Sequence, residues 1–216
     1  MKKQIPRIFW WALASLAAFA LWTLAVRTID IRPIGPLGTE VGFGALNGAF
    51  HRLTGVHMEL YTLTDWLGLV PLLTVLTFGI LGLAQWIRRG DLRKVDGDIL
   101  ILGGFYLVVM ALFILFEIAV VNYRPVLIAG ALEASYPSST TLLVLCVMPT
   151  ARMQLKGRMG KTTLRRILLP AIDVFTALMV AGRLISGVHW VTDIVGGLLL
   201  SAGLVGMYAA ATNSVN

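Results

Sequence analysis

Two arginines, a histidine and an aspartate stand at spacings that suit phosphoryl chemistry. Arg183 is followed by His189 after five intervening residues, and Asp193 comes four positions later. Arg124 directly precedes Pro125, and Pro137-Ser138-Ser139-Thr140-Thr141 opens an apolar stretch. A guanidinium presents a planar fork of donors that matches phosphate oxygens. A helix starting at Ser138 would add free backbone N–H groups and the positive end of a dipole, with the serine hydroxyl beside them. If His189 opens the last helix, Asp193 shares its face. The carboxylate then accepts from one ring nitrogen, fixes the tautomer and leaves the other nitrogen free to attack phosphorus. A helix N-terminus also disfavours the imidazolium, which keeps that nucleophile neutral. A purely structural His189–Asp193 pair is the plainer alternative, and the spacing from Arg183 favours the site.

The elements that must position these groups are membrane helices. The chain has 216 residues, 57% of them hydrophobic and 13% charged, whereas soluble domains carry roughly 45–50% and about 25%. Six apolar stretches run near Ile8–Val26, Trp66–Ile87, Ile99–Val121, Ser138–Met153, Ile167–Ile185 and Val188–Ala211. A hydrocarbon core of about 30 Å needs roughly 20 residues of helix, so the expected fold is an all-α integral membrane bundle of six transmembrane helices. The fourth stretch is short and begins with Ser and Thr, which suits a helix end lining a cavity. In the loop Arg27–Asp65, the residues Val41, Phe43, Leu46, Phe50 and Leu53 outline the apolar face of a short interfacial helix. The first stretch follows Lys2, Lys3 and Arg7 as a cleaved signal would, but it is longer than the usual apolar region of about 7–15 residues and is expected to be retained. One membrane domain, 1–216, is expected.

The basic residues agree with this layout. With the N-terminus inside, thirteen of the eighteen fall on cytoplasmic segments, from Lys2, Lys3 and Arg7 through Arg88–Lys94 to Arg152–Arg166. Only Arg27, Arg32, Arg52, Arg124 and Arg183 fall outside, as the positive-inside rule requires. The net charge of +7 is therefore a topology signal, and nucleic acid is not an expected partner. Both termini are placed in the cytoplasm, and the three chemical clusters gather at the outer face. Among the other polar residues, His51 and His57 are expected at the surface of the outer loop, and Asp173 is given no chemistry. Most tryptophans, Trp190 included, fall near span ends as interfacial anchors do. Gly196, Gly197, Gly203 and Gly206 suit close helix packing. Cys146 is the single cysteine, and neither a metal nor a cofactor is expected, since no His and carboxylate cluster has ligand spacing.

These motifs resemble the type-2 phosphatidic acid phosphatase superfamily of membrane lipid phosphatases, whose signature reads Lys-x6-Arg-Pro, Pro-Ser-Gly-His and Ser-Arg-x5-His-x3-Asp. Gly182-Arg183, five residues, His189, three residues and Asp193 match the third part except for the serine. Arg124-Pro125 matches the first, with Glu117 at the lysine position. Pro137-Ser138 matches the second, after which Ser139 and Thr140 replace glycine and histidine. The signature region is about 117–193. The resemblance implies a phosphohistidine at His189, oriented by Asp193, with the phosphoryl oxygens held by Arg124, Arg183, Ser138 and the Ser139 N–H. It also implies a lipid phosphate or diphosphate substrate at the outer face of a plasma membrane, bacterial by the short loops.

The departures carry expectations of their own. Thr140 does not replace a histidine as proton donor, and a missing general acid costs about 10²–10⁴-fold. Glu117, two turns before Arg124, is expected either to pair with Arg124 or Arg183 or to serve as the substitute acid. The rival readings are a catalytically silent lipid-phosphate binder and a lipid phosphoryl or headgroup transferase on the same site.

Overall fold

The computed structural model describes residues 7–213, so Lys2 and Lys3 lie outside the described residues. Eight α-helices run in the order α1 Arg7–Thr28, α2 Gly44–Thr54, α3 Met58–Leu67, α4 Leu69–Arg89, α5 Gly97–Ile118, α6 Ser139–Arg158, α7 Thr163–Ile185 and α8 Val191–Thr212. Among the described residues the β pairing amounts to three isolated antiparallel bridges. Five helical stretches are long and apolar enough to cross a membrane: α1, the joined Met58–Arg89, α5, α7 and α8. Their outward faces carry large apolar residues such as Trp11, Ile87, Leu107 and Ile118, each more than 70% exposed. A belt this extensive requires an apolar surrounding. The chain is a multi-pass membrane protein.

The predicted fourth span is helical but stands apart. α6 carries Arg152, Lys156 and Arg158 in its last two turns and Pro149 inside, so its composition falls short of the other five. It instead sits at the centre, burying Leu142, Val144, Cys146 and Val147. Leu142 and Cys146 join Leu102 and Phe105 of α5 and Leu200 and Tyr208 of α8 in one apolar core.

α1 lies antiparallel along α8. A Cβ added at Gly203 would stand 2.6 Å from Leu16, and one at Gly206 would stand 2.8 Å from Ala12, so only glycine allows this approach. The Ser15 hydroxyl donates to the Leu199 carbonyl at 2.8 Å, and the Trp22 indole donates to the Thr192 carbonyl at 3.1 Å. At the opposite end from the candidate site, Asp96 accepts from Arg89 and Arg158, which staples α4, α5 and α6 together.

Several boundaries differ from the sequence reading. The supposed loop before residue 66 contains α3, which continues into α4 at Gly68. Hydropathy placed the start late because Thr62, Thr64 and Asp65 interrupt the apolar run. α2 buries Gly44, Asn47 and Gly48 while Leu46 and Leu53 point outward, and Val41 and Phe43 precede it. α8 begins at Val191, after His189. Trp190 is not an anchor at the surface but is buried, its indole donating to the Tyr123 carbonyl at 2.7 Å. Asp173 pairs with Arg152 of α6 at 2.9 Å.

Candidate active site

Three segments meet around His189: the connection between α7 and α8, the link between α5 and α6, and the first turn of α6. The α7–α8 connection is held close to the chain before α3. Gly187 adopts φ +70°, and a Cβ there would lie 2.0 Å from the Gly55 carbonyl oxygen. Both constraints favour glycine. The α5–α6 link folds back on itself. The Arg124 N–H donates to the Glu133 carbonyl at 3.0 Å, and the Ser135 N–H donates to the Asn122 carbonyl at 2.9 Å. This hairpin carries Arg124 and Ser135 toward the histidine.

Asp193 is fully buried and surrounded by donors. It accepts from the Trp190 N–H at 2.9 Å, from the Asn122 amide at 3.3 Å and from the Ser135 hydroxyl in a short contact. The first of these caps the start of α8, as a carboxylate in the third helical position commonly does. The Asp193 carbonyl also accepts from the Ser138 N–H at 3.3 Å, which ties the start of α6 to the same aspartate.

The relation of His189 to Asp193 differs from the expected one. His189 lies before α8, so the two do not share a helical face, and its Nδ1 is 3.8 Å from the carboxylate. The Ser135 hydroxyl stands between them, 3.1 Å from Nδ1. With that hydroxyl donating to Asp193, its lone pair is left for an N–H at Nδ1. The chain Nδ1–H to Ser135 to Asp193 assigns the tautomer and leaves Nε2 with a free lone pair. Burial, opposed by Asp193 and aided by the positive charges of Arg124 and Arg183, pushes the His189 pKa down to about 4. The imidazole is neutral at ordinary pH.

The two arginines are also buried, at 7% and 1% exposure. Neither pairs with Glu117. Arg124 has its Nε 3.2 Å from Glu133, and Arg183 has an Nη 3.7 Å from Asp65. Sequence spacing aligned Glu117 with Arg124 along a continuous helix, but α5 ends at Ile118 and the hairpin redirects Arg124. Glu117 lines a narrow crevice with Ser135 and Ser139. Arg183 is braced from behind by α3, donating to the Tyr61 carbonyl at 3.4 Å and the Thr64 hydroxyl at 3.3 Å.

Polar atoms left without partners cluster around His189. Buried side-chain atoms without a hydrogen-bond partner include Arg124 Nε and Nη1, Arg183 Nε, Ser138 Oγ and His189 Nε2. Native interiors leave few such groups unpaired, and two neighbouring buried guanidiniums repel each other. A tetrahedral anion placed among them would satisfy every donor at once. The first N–H groups of α6, at Ser139 and Thr140, have no intrahelical acceptors. Ser139 and Thr140 are half-buried and lie at the mouth of an apolar cleft between α4, α5 and α6.

Sequence reasoning missed Asn122, Ser135, Glu133, Tyr61 and Asp65. Asn122 and Ser135 flank quoted motifs, but serine and asparagine near turns usually serve the backbone. His51 was placed at the surface. It is half-buried, with its ring 5.5 Å from that of Trp190 and its Nδ1 without a hydrogen-bond partner. His57 is exposed.

The Ser135 relay makes a specific prediction. Ser135→Ala leaves Nδ1 without its bridge and is expected to lower kcat by about 10–100-fold with little change in melting temperature, in line with loss of groups that orient functional histidines. Phosphate-release kinetics beside a thermal melt check this.

Residues 121–215 match the family model of the PAP2 superfamily. No curated protein matches the chain. Among solved structures, the fold resembles the crystal structure of the first transmembrane PAP2 type phosphatidylglycerolphosphate phosphatase from Bacillus subtilis. The TM-score is 0.63 at 17% identity, covering 95% of this chain and 97% of that one. The region similar to that family model holds Arg124, Ser138, Arg183, His189 and Asp193.

Proposed function

We propose that this protein is a membrane lipid phosphatase that hydrolyses a lipid phosphate or diphosphate through a phosphohistidine at His189. The observation that carries the reading is the set of orphaned buried donors on Arg124, Arg183 and Ser138 around the free Nε2 of His189. Nε2 attacks phosphorus, the bond to the lipid oxygen breaks, and the phosphoryl group remains on the histidine. Water then attacks the same phosphorus, releasing inorganic phosphate and the free imidazole. Arg124, Arg183, Ser138 and the N–H groups of Ser139 and Thr140 hold the equatorial oxygens, where charge accumulates. Asp193 stabilises the positive charge on the ring through Ser135.

Two features favour a lipid over a water-soluble phosphate. The apolar cleft beside Ser139 and Thr140 is lined by Leu72, Val75, Val109 and Phe113. It begins where the leaving group would lie. The similar Bacillus subtilis protein is named as a phosphatidylglycerolphosphate phosphatase. In the proposed topology α6 is the fourth of six spans, all of 1–216 is one membrane domain, and both termini are cytoplasmic. The site then opens to the outer face of a bacterial plasma membrane, with α2 at the interface.

Thr140 at the position of the proton donor favours one further reading, binding without turnover. Purified protein in detergent is expected to release phosphate from at least one of phosphatidic acid, phosphatidylglycerol phosphate and an isoprenoid diphosphate, and not from glycerol phosphate. An isoprenoid diphosphate leaves more readily and needs less protonation. Binding of all three without release would support the silent binder and remove the hydrolase.

A further inference from the structure

We propose that Tyr61, in a segment outside the matched family region, is the positioning residue that sets Arg124 and Arg183 side by side for one phosphoryl group. The proposal rests on the phosphate-site reading and deepens it.

The Tyr61 ring centroid lies 4.8 Å from the Arg183 guanidinium carbon and 5.6 Å from that of Arg124. Both distances fall within the range of about 6 Å where the negative face of an aromatic ring attracts a cation. One ring thus serves two like charges that would otherwise push apart in a dry setting. The nearby carboxylates do this only in part. Glu133 and Asp65 are 40% and 60% exposed and each meets one arginine from its outer side. Tyr61 is the one side chain in contact with both guanidiniums among these groups.

The backbone around it makes the ring stiff. Arg183 also donates to the Tyr61 carbonyl and to Thr64 Oγ1, one turn further along α3. Gly182 packs so closely on α3 that an added Cβ would meet Thr64 at 2.7 Å. α3 and the end of α7 therefore move together, and the ring and the Arg183 side chain keep their spacing. Arg183 Nε and Arg124 Nη1 remain without a hydrogen bond, and Arg124 Nε has only its ion pair with Glu133. A pair preassembled in this way has little left to reorganise when the anion arrives, and preorganised donors are the effective ones. Among the described residues no hydrogen bond engages the Tyr61 hydroxyl, and both guanidiniums meet the ring.

The test compares Tyr61→Phe, which keeps the face, with Tyr61→Leu, which keeps an apolar bulk without it. Orthovanadate, a phosphate mimic, is the probe in detergent-solubilised full-length protein, with thermal melting as the folding control. Tyr61→Phe is expected to bind orthovanadate within about twofold of wild type. Tyr61→Leu is expected to bind roughly tenfold more weakly, equivalent to about 1.4 kcal/mol, and to raise KM by a similar factor while kcat changes less. Tyr61→Met gives the same comparison should the leucine variant fail to fold. Unchanged affinity in a folded Leu or Met variant overturns the proposal, and so does a Phe variant as weak as these. Wild-type protein that binds no orthovanadate overturns the phosphate-site reading itself, and this inference with it.

Discussion

His189→Ala is expected to abolish phosphate release, lowering kcat by at least about 10⁴-fold, as loss of a covalent nucleophile does in enzymes whose catalytic groups act as a unit. The loss follows from position: Nε2 is a buried, unpartnered ring nitrogen beside the orphaned arginine donors. Binding should survive better than turnover, since Arg124, Arg183 and Ser138 remain. Orthovanadate affinity in the variant is therefore expected to fall far less than kcat. The pH profile carries a linked expectation. The nucleophile is active when neutral, and burial has lowered its pKa to about 4, so kcat/KM should stay level through the range where an ordinary histidine titrates near 6.5. It should fall only as the pH drops through about 4. Stability follows the same sign. The unfolded chain takes up a proton near 6.5 that the folded one refuses until about 4, so the fold loses stability across that window as the pH falls. Release that persists in His189→Ala would remove the phosphohistidine.

The second large effect is a gain. Thr140→His is expected to raise kcat toward lipid phosphomonoesters by about 10²–10⁴-fold, the usual contribution of general acid catalysis. Thr140 is half-buried in the first turn of α6 and lines the apolar cleft where the departing lipid oxygen would sit. A hydroxyl there holds its proton too tightly to protonate an alkoxide, whereas an imidazolium gives it up. The gain should be smaller for a diphosphate, whose leaving group needs less help. A folded variant with no gain toward any lipid would mean that the pocket has been rebuilt for binding, and orthovanadate affinity in the same preparation distinguishes that from a damaged site.

Much of this was legible in the chain because charge and apolarity are written locally. Run length predicts six spans, of which the structure has five helices long and apolar enough among the described residues, and the Arg183, His189 and Asp193 spacing singles out residues that the fold gathers in one place. The rest depended on how segments turn. The His189–Asp193 pair looked like neighbours on one helix, yet α8 starts two residues too late for that, and a serine from the hairpin occupies the gap. Glu117 looked aligned with Arg124 only while the third helix was imagined to continue. The counter-charges Glu133 and Asp65 come from segments whose register hydropathy does not report. Tyr61 left no trace at all, since a tyrosine near a membrane boundary is ordinary. The composition of α6 explains why it counts as a buried strut by hydropathy while its first turn serves the site.

The glycine-mediated seam between α1 and α8 bears on how the molecule is made. α1 finds its chief partner in α8, far along the chain, so the notch at Gly203 and Gly206 that receives Ala12 and Leu16 does not exist until α8 has been made. A nascent chain halted before residue 191 would hold α1 with nothing to clasp. Synthesis of α8 thus closes this seam, and the same step delivers His189 and Asp193 to the arginines.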